Sequence, residues 1–348
     1  AVSAASFSES GADAKKLAAE TAADLAIDLR SFLINWKLLP GVQQGKLTET
    51  EINNEADKFL ALAAESGGQT LVDKALAEIK AISNSTIRKM SEMRLNAEIN
   101  TVWGHDYASG IKPSVRRGAL FSTNNPAKNT LFKKDFPAEY DAILNEIVAE
   151  NPEASFEDKV SLILVKICAR TARQLCPIYE ITDGKYGFMC IQVNPYNIPN
   201  EDSTEKIIQQ VEFYDAAFKR ELGTNRPNIV YKIPAVERAL PAAEYLAGKG
   251  YRLCVTLNFT VAQQEAFARI ISASGTPGFV VLMGGLLDDK VGVDLKEMGI
   301  PDAVEIARHA AQAVIRKSYL NLQAKGYDKV VSIMTAAVRG HYRNHLIV

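Results

Sequence analysis

From about Asn100 onward the chain is built of short apolar runs, at 101–104, 118–123, 187–193, 228–233, 251–257, 278–283 and 329–335, with amphipathic helical stretches between most of them. Short apolar runs that alternate with helices read as βα units around a parallel sheet, because parallel neighbours can be joined only through a crossover connection. Helices are expected at 205–222, 237–247, 262–273 and 301–324. A doubly wound open sheet normally carries a Gly-rich turn after its first strand, and neither GxGxxG nor GxxxxGK[ST] occurs here. The expected fold class is therefore α/β, a (β/α)8 TIM-type barrel, although only seven strands can be counted and the eighth is not evident in this chain.

Residues 1–95 read as helices only, giving an all-helical N-terminal extension followed by a barrel over 96–348. Leu25, Leu29, Phe32 and Trp36 fall at helical spacing and Pro40-Gly41 breaks that run. Thr48 and Glu51 form a candidate capping box ahead of an apolar face made by Ile52, Ala56, Phe59 and Ala63. A third helix carries Leu71, Ala75, Ile79 and Ile82.

Composition narrows the function classes. Forty basic against 41 acidic residues give a formal charge of -1, so no field of one sign recommends a nucleic acid or an anionic membrane as partner. Cys168, Cys176, Cys190 and Cys254 form no CxxC pair, and His105, His309, His341 and His345 offer no paired zinc spacing, so neither a structural zinc nor a disulfide framework is expected. His341 and His345 stand four apart, without an acidic or cysteine ligand beside them. Buried reduced thiols suit a reducing compartment, no apolar run is long enough to span a bilayer, and the expected location is cytoplasmic. His309 is expected on a solvated helix face and Asp288-Asp289-Lys290 in an exposed loop.

One strand carries a charge that does not belong in it. In Asn228-Ile229-Val230-Tyr231-Lys232-Ile233-Pro234-Ala235, alternation sets Val230, Lys232 and Pro234 on one face. A buried lysine is pushed toward its neutral amine, the form that attacks a carbonyl to give a Schiff base; a lysine at a strand end that snorkels to water or pairs with a carboxylate explains the spacing equally well. Cys254, Thr256 and Asn258 alternate along the next strand, and Cys190, Gln192 and Asn194 along the preceding one. Polar sets on one side of neighbouring strands fit a hydrogen-bonding cavity, or a polar layer at a barrel mouth with no reactive role.

At these residues the chain resembles the transaldolase family of Schiff-base barrels. Tyr231-Lys232-Ile233-Pro234-Ala235 is similar to the family's Lys-Ile-Pro-Ala strand, and Val255-Thr256-Leu257-Asn258-Phe259-Thr260 with Ala262-Gln263 is similar to its Thr-Leu-x-Phe-Ser-x-x-Gln motif. Thr123-Asn124-Asn125-Pro126 resembles the Thr-Thr-Asn-Pro turn after strand two, and Ala337-Val338-Arg339 the end of strand seven. The resemblance covers roughly Asn100 to Arg339 and leaves the helical extension outside. It implies Lys232 as the Schiff-base lysine, Asp106 as the aspartate that shuttles protons, and Gln192 and Thr256 at the water and the imine. It further implies Asn125, Cys254 and Asn258 toward substrate hydroxyls and Arg339 toward a terminal phosphate.

The chain also departs from the family pattern. Gln192 replaces a glutamate that holds the catalytic water, and an amide cannot accept a proton as a carboxylate does. Cys254 replaces an asparagine, and the run Val280-Val281-Leu282-Met283-Gly284-Gly285 lacks the family's second phosphate arginine, leaving Arg339, alone or with Lys290. The implied activity is a transaldolase-like transfer of a three-carbon dihydroxyacetone unit from a ketose to an aldose, with sugar phosphates as partners and no cofactor. A class I aldolase that releases the three-carbon unit, and a catalytically silent barrel that binds a partner, are the alternatives; a homodimer stays open.

Overall fold

A computed structural model of the chain describes residues 11–31 and 48–338. Phe32, Trp36, Pro40-Gly41, Arg339, His341 and His345 lie outside the described residues. The chain divides into two compact units, one made of residues up to Ser122 with Gln174–Phe188, the other of Thr123–Arg173 with the residues from Met189 onward.

The first unit begins with the helices α1 (Ala12–Ser31), α2 (Glu49–Gly67), α3 (Gln69–Ser83) and α4 (Thr86–Leu95). The expected capping box starts α2: the Thr48 amide donates to Glu51 Oε2 at 2.7 Å, and the Glu51 amide donates to Thr48 Oγ1 at 3.2 Å. The seam between α1, α2 and α3 is lined with small residues, Ala22, Ala23 and Ala26 facing Ala56, Ala63 and Ala75. Short side chains let the helix axes approach closely, and a β-carbon on Gly67 would sit 2.8 Å from that of Ala19. Ile27, Leu60, Val72 and Ile82 fill the remaining space.

Charge pins α1 to the helical turn at Lys112–Val115. Arg116, 4% exposed, donates to Asp28 at 2.8 Å and to Glu78 at 2.9 Å and also pairs with Asp24. Lys112 pairs with Asp24 and, at 2.9 Å, with Asp28. Burial alone would raise the Asp24 carboxyl, but the bonds from Lys112 and Arg116 outweigh it and hold the group below its ordinary 3.8. A depressed carboxyl contributes its stability above the unfolded value and loses it as pH falls through the folded one. Amide protection along α1, corrected for intrinsic exchange rate, is therefore expected to hold from neutrality down to pH 3.8 and to fall below it. Protection unchanged on both sides of that pH would contradict the pairing.

The expected strand at 101–104 does not form. Its segment makes one β-bridge, His105 to Ser122, with the Leu120 amide donating to Trp103 O at 3.0 Å and the His105 amide to Phe121 O at 2.9 Å. A β-carbon on Gly104 would meet the Phe121 ring at 2.3 Å, so the approach depends on glycine, and the chain turns away after His105.

Among the described residues the sheet has six strands whose spatial order is the chain order, with β2 to β6 paired in parallel, as in a TIM-type barrel: β1 (Phe121–Thr123), β2 (Phe188–Gln192), β3 (Ile229–Pro234), β4 (Leu253–Asn258), β5 (Gly278–Met283) and β6 (Val331–Ala336). In the second unit α5 (Pro126–Asp135), α6 (Pro137–Glu150) and α7 (Phe156–Ile181, whose last residues belong to the first unit) come before β2. The crossovers that follow are α8 (Ser203–Leu222), α9 (Leu240–Gly248), α10 (Val261–Ser274), α11 (Gly284–Glu297) and α12 (Ala310–Ala324). Leu282, Ile333, Ala311 and Ile315 pack together, which identifies the helix-facing side of β5 and β6.

Two expectations for this region are corrected. Asp288, Asp289 and Lys290 lie in α11, not in a loop, and Asp288 is 3% exposed. The 301–324 helix is two pieces, Ala303–Ala307 and α12, because the Asp288 carboxylate accepts the Ala311 amide at 2.9 Å and so starts a new helix there. His309 is exposed, its Nδ1 3.1 Å from Gln312 Oε1. No described helix is long and apolar enough to cross a membrane.

Candidate active site

Every residue of β3 is buried, and Lys232 is the charged one among them, at 8% exposure. Parallel register places Gln192 of β2 and Cys254 of β4 opposite Lys232, and Thr256 opposite Pro234. Register partners project to the same side, so Gln192, Lys232, Cys254 and Thr256 share a face, as period-two alternation requires. Phe279, opposite Cys254, continues that face onto β5.

Lys232 Nζ donates to the backbone carbonyl of Asn124 at 3.3 Å. That carbonyl belongs to the turn after β1, which is tied down from several directions. The Asn124 amide donates to Cys190 O at 3.1 Å, and Asn124 Nδ2 donates to Cys168 Sγ at 3.5 Å. Asn124 Oδ1 accepts the Asn125 amide at 2.9 Å. Asn125 caps α5, its Oδ1 accepting the Lys128 amide at 3.1 Å. An amide side chain held by its oxygen presents its two N–H donors in a set direction, which suits a substrate hydroxyl. Asn124 was not singled out for a role from sequence; its carbonyl reaches the lysine through a backbone atom, which no residue pattern reports.

Thr256 is 3% exposed and its Oγ1 lies 3.6 Å from Met283 Sδ. Asn258 does not continue the face of Cys254 and Thr256. Leu257 adopts φ 63°, the pairing of β4 with β5 shifts between Val255 and Asn258, and Asn258 comes to lie opposite Leu282 on the helix-facing side. This is a β-bulge: one extra residue reverses the alternation beyond it. Asn258 Nδ2 donates to Val255 O at 2.7 Å and to Val281 O at 3.2 Å, so the side chain closes the bulge instead of facing a ligand.

Gln263 does comparable work one turn later. Its Oε1 accepts the amides of Phe259 at 2.9 Å and Thr260 at 3.2 Å, while its Nε2 donates to Ala235 O at 3.0 Å. The end of β4 is thereby cross-linked to the residue just past the lysine strand. Gln263→Ala removes the partner of two amides and a carbonyl and is expected to destabilise the protein by about 2 kcal/mol. Denaturant titration measures this, and a change within error would contradict it.

Asp106 lies in the first unit, exposed, in a turn braced by its neighbours. His105 Nδ1 is 2.8 Å from Ser114 Oγ and its Nε2 2.9 Å from Ser109 O, and Ser122 Oγ donates to Tyr107 O at 2.6 Å. Lys290 pairs with Asp294 at 2.5 Å on the exposed side of α11.

Three thiols are fully buried: Cys168, Cys190 and Cys254. Burial pushes Cys168 up to about 12. Burial, together with the adjacent Cys254, raises Cys190 well above a free thiol, while the hydrogen bond from Cys190 and the Lys232 charge lower Cys254 against its own burial.

Residues 118–343 match the family model described as transaldolase/fructose-6-phosphate aldolase. Similar curated proteins include a transaldolase of Mycolicibacterium smegmatis, 25% identical over 199 residues that make up 52% of this chain and 49% of that protein. A transaldolase of Thermobifida fusca is 28% identical over 154 residues, 44% of this chain and 38% of that protein. One of Mycobacterium bovis is 32% identical over 123 residues, 35% of this chain and 30% of that protein. The chain thus spans about half, or less, of the length of these relatives.

Proposed function

We propose that this chain, which belongs to the transaldolase/fructose-6-phosphate aldolase family, is an enzyme that holds a ketose on Lys232 as a Schiff base and passes a three-carbon dihydroxyacetone unit to an aldose. The observation that carries the reading is Lys232 itself. A lysine 8% exposed, on a wholly buried strand and hydrogen-bonded to a backbone carbonyl, is costly to keep for structural reasons and well suited to nucleophilic attack.

In this reaction the Lys232 amine adds to the ketose carbonyl, and loss of water gives a protonated imine that acts as the electron sink. Cleavage of the carbon–carbon bond needs a base for the substrate hydroxyl, the role the resemblance gives to Asp106. Gln192 orients the water, Thr256 holds the imine region, Asn125 donates to donor hydroxyls, and Arg339 takes a terminal phosphate. The three-carbon enamine left on Lys232 then adds to an acceptor aldehyde, and hydrolysis frees the new ketose.

Gln192 favours one second reading, release of the three-carbon unit in place of its transfer, because an amide cannot relay the proton that a carboxylate would. Product analysis with and without an acceptor aldehyde separates the two. The founding experiment is borohydride reduction in the presence of fructose 6-phosphate or dihydroxyacetone, followed by peptide mapping. A reduced adduct on Lys232 is expected; a folded protein that traps neither ketose would overturn the proposal.

A further inference from the structure

Lys232 meets the turn after β1, two strands away: its Nζ lies 3.3 Å from the carbonyl oxygen of Asn124, and both residues belong to the second unit. That carbonyl is one end of the peptide unit between Asn124 and Asn125, and the other end is held as well. The Asn125 amide donates to Asn124 Oδ1 at 2.9 Å, and Asn124 Nδ2 donates in turn to Cys168 Sγ of α7 at 3.5 Å. The Asn124 amide adds a third anchor, donating to Cys190 O at 3.1 Å. Asn124 is 2% exposed and Cys168 is completely buried. A planar peptide cannot turn its carbonyl without turning its N–H, so a sulfur on α7 sets, through one amide side chain, the direction of the carbonyl that meets the lysine. The bonding of α5 starts one residue later, where Asn125 O accepts the Lys128 amide at 3.1 Å.

We infer that the Asn124 carbonyl accepts the single N–H of the Lys232 imine and so fixes which way the bound ketose points, with the Asn124 side chain and Cys168 as positioning residues. The inference rests on Lys232 being the Schiff-base residue. An ammonium and a ketone give a protonated imine and water. Two carbon–nitrogen bonds replace the two carbon–oxygen bonds, whose electrons stay on oxygen, and two of the three ammonium hydrogens leave with that oxygen. One hydrogen remains on nitrogen, in the plane that also holds Cε and the ketose carbon. With this hydrogen on Asn124 O, toward β1, the ketose carbon is turned to the other side, toward β4, where Thr256 shares the face of Lys232. The opposite imine geometry would set the ketose against the Asn124 turn and give up the bond. A charged N–H binds an acceptor more strongly than a neutral amine does, so the carbonyl favours the protonated imine over the free amine. A backbone carbonyl suits this place because it accepts a hydrogen bond without taking the proton away.

The test is borohydride trapping with two ketones. Hydroxyacetone lacks the carbon–carbon bond that the aldol step breaks, and reduction of its imine creates a stereocentre at the carbon that takes the hydride. The adduct therefore records which face of the imine is open. The unsubstituted chain is expected to give one epimer in large excess, read by chromatography and mass spectrometry of the Lys232 peptide. Asn124→Ala and Cys168→Ala should give a mixture, because the released imine adopts both geometries. With dihydroxyacetone, whose adduct has no stereocentre, the same variants should trap about tenfold or more slowly. Cys168→Ser keeps an acceptor for Asn124 Nδ2 and should recover most of the rate and the single epimer, whereas Cys168→Val fills the volume without an acceptor and should recover neither. Matching far-ultraviolet circular dichroism shows that the variants are folded. An even mixture from the unsubstituted chain overturns the inference, as do variants that keep its epimer ratio and rate, or a rescue by Cys168→Val equal to that by Cys168→Ser. If the Schiff-base reading fails, neither ketone leaves an adduct on Lys232; if this inference alone fails, Lys232 is still modified, without the selectivity or without its dependence on Asn124 and Cys168.

Discussion

Lys232→Met is expected to abolish the borohydride-trapped adduct and to lower turnover by at least about 10⁴-fold, the order seen when an enzyme loses its covalent nucleophile. Lys232→Arg should fail equally, because a guanidinium stays protonated and cannot attack a carbonyl. Methionine nearly matches lysine in length and brings no charge into a position that is 8% exposed, so stability should be unchanged or higher. The signature is therefore an inactive protein with an equal or raised melting temperature. A variant that keeps a tenth of the activity would exclude Lys232 as nucleophile. A structural lysine would give the opposite pattern, lost stability with activity surviving in the folded fraction.

Arg116→Met is expected to destabilise the first unit by about 3 kcal/mol. The guanidinium spreads its donors over Asp24 and Asp28 of α1 and Glu78 of α3, and the Arg116 carbonyl accepts from Arg88 at 2.9 Å. Removing the cation leaves three carboxylates close together with Lys112 as the remaining partner of two of them. The half-exposed Asp24 and Glu78 recover part of their hydration, which keeps the loss at the lower end for a broken buried pair. Arg116→Lys keeps the charge but cannot reach three acceptors at once, and it should recover less than half of the loss. Trp103 belongs to the first unit, so its fluorescence during denaturant unfolding, read in a Trp36→Phe background, reports on that unit. A change below about 0.5 kcal/mol would mark the network as surface decoration.

The strands from 118 onward were legible because each is a short apolar run, and every one of those six expectations overlaps an observed strand. The bridge at His105 and the helix over Asp288–Lys290 were not. In the first case an apolar run ends at a glycine covered by an aromatic ring, and in the second two glycines that look like a loop begin a helix. A β-carbon on Gly284 would lie 3.3 Å from Ala311 and Thr335 side-chain atoms, so that glycine serves close packing.

Among the candidate site residues, Gln192, Lys232, Cys254 and Thr256 share a face as alternation predicts, and Asn258 does not. Alternation is a property of regular strand, and it carries no information about where an extra residue interrupts it. The left-handed Leu257 is the interruption, stabilised by Asn258 on two carbonyls of β4 and β5 that are remote in sequence from one another.

The local period of apolar residues, together with the Lys-Ile-Pro-Ala and Thr-Leu-x-Phe motifs, was enough to determine the strands from 118 onward, the crossover helices after β2, β3 and β4, and the lysine that belongs to none of the apolar pattern. Those are properties of a few consecutive side chains, and sequence carries them whole. Which carbonyl receives Lys232 Nζ, and which residues stand opposite Lys232 on the neighbouring strands, were decided only by the tertiary structure. These contacts join Asn124, Cys190, Lys232 and Cys254 through sheet register, and register is set by packing across strands that are tens of residues apart in the chain.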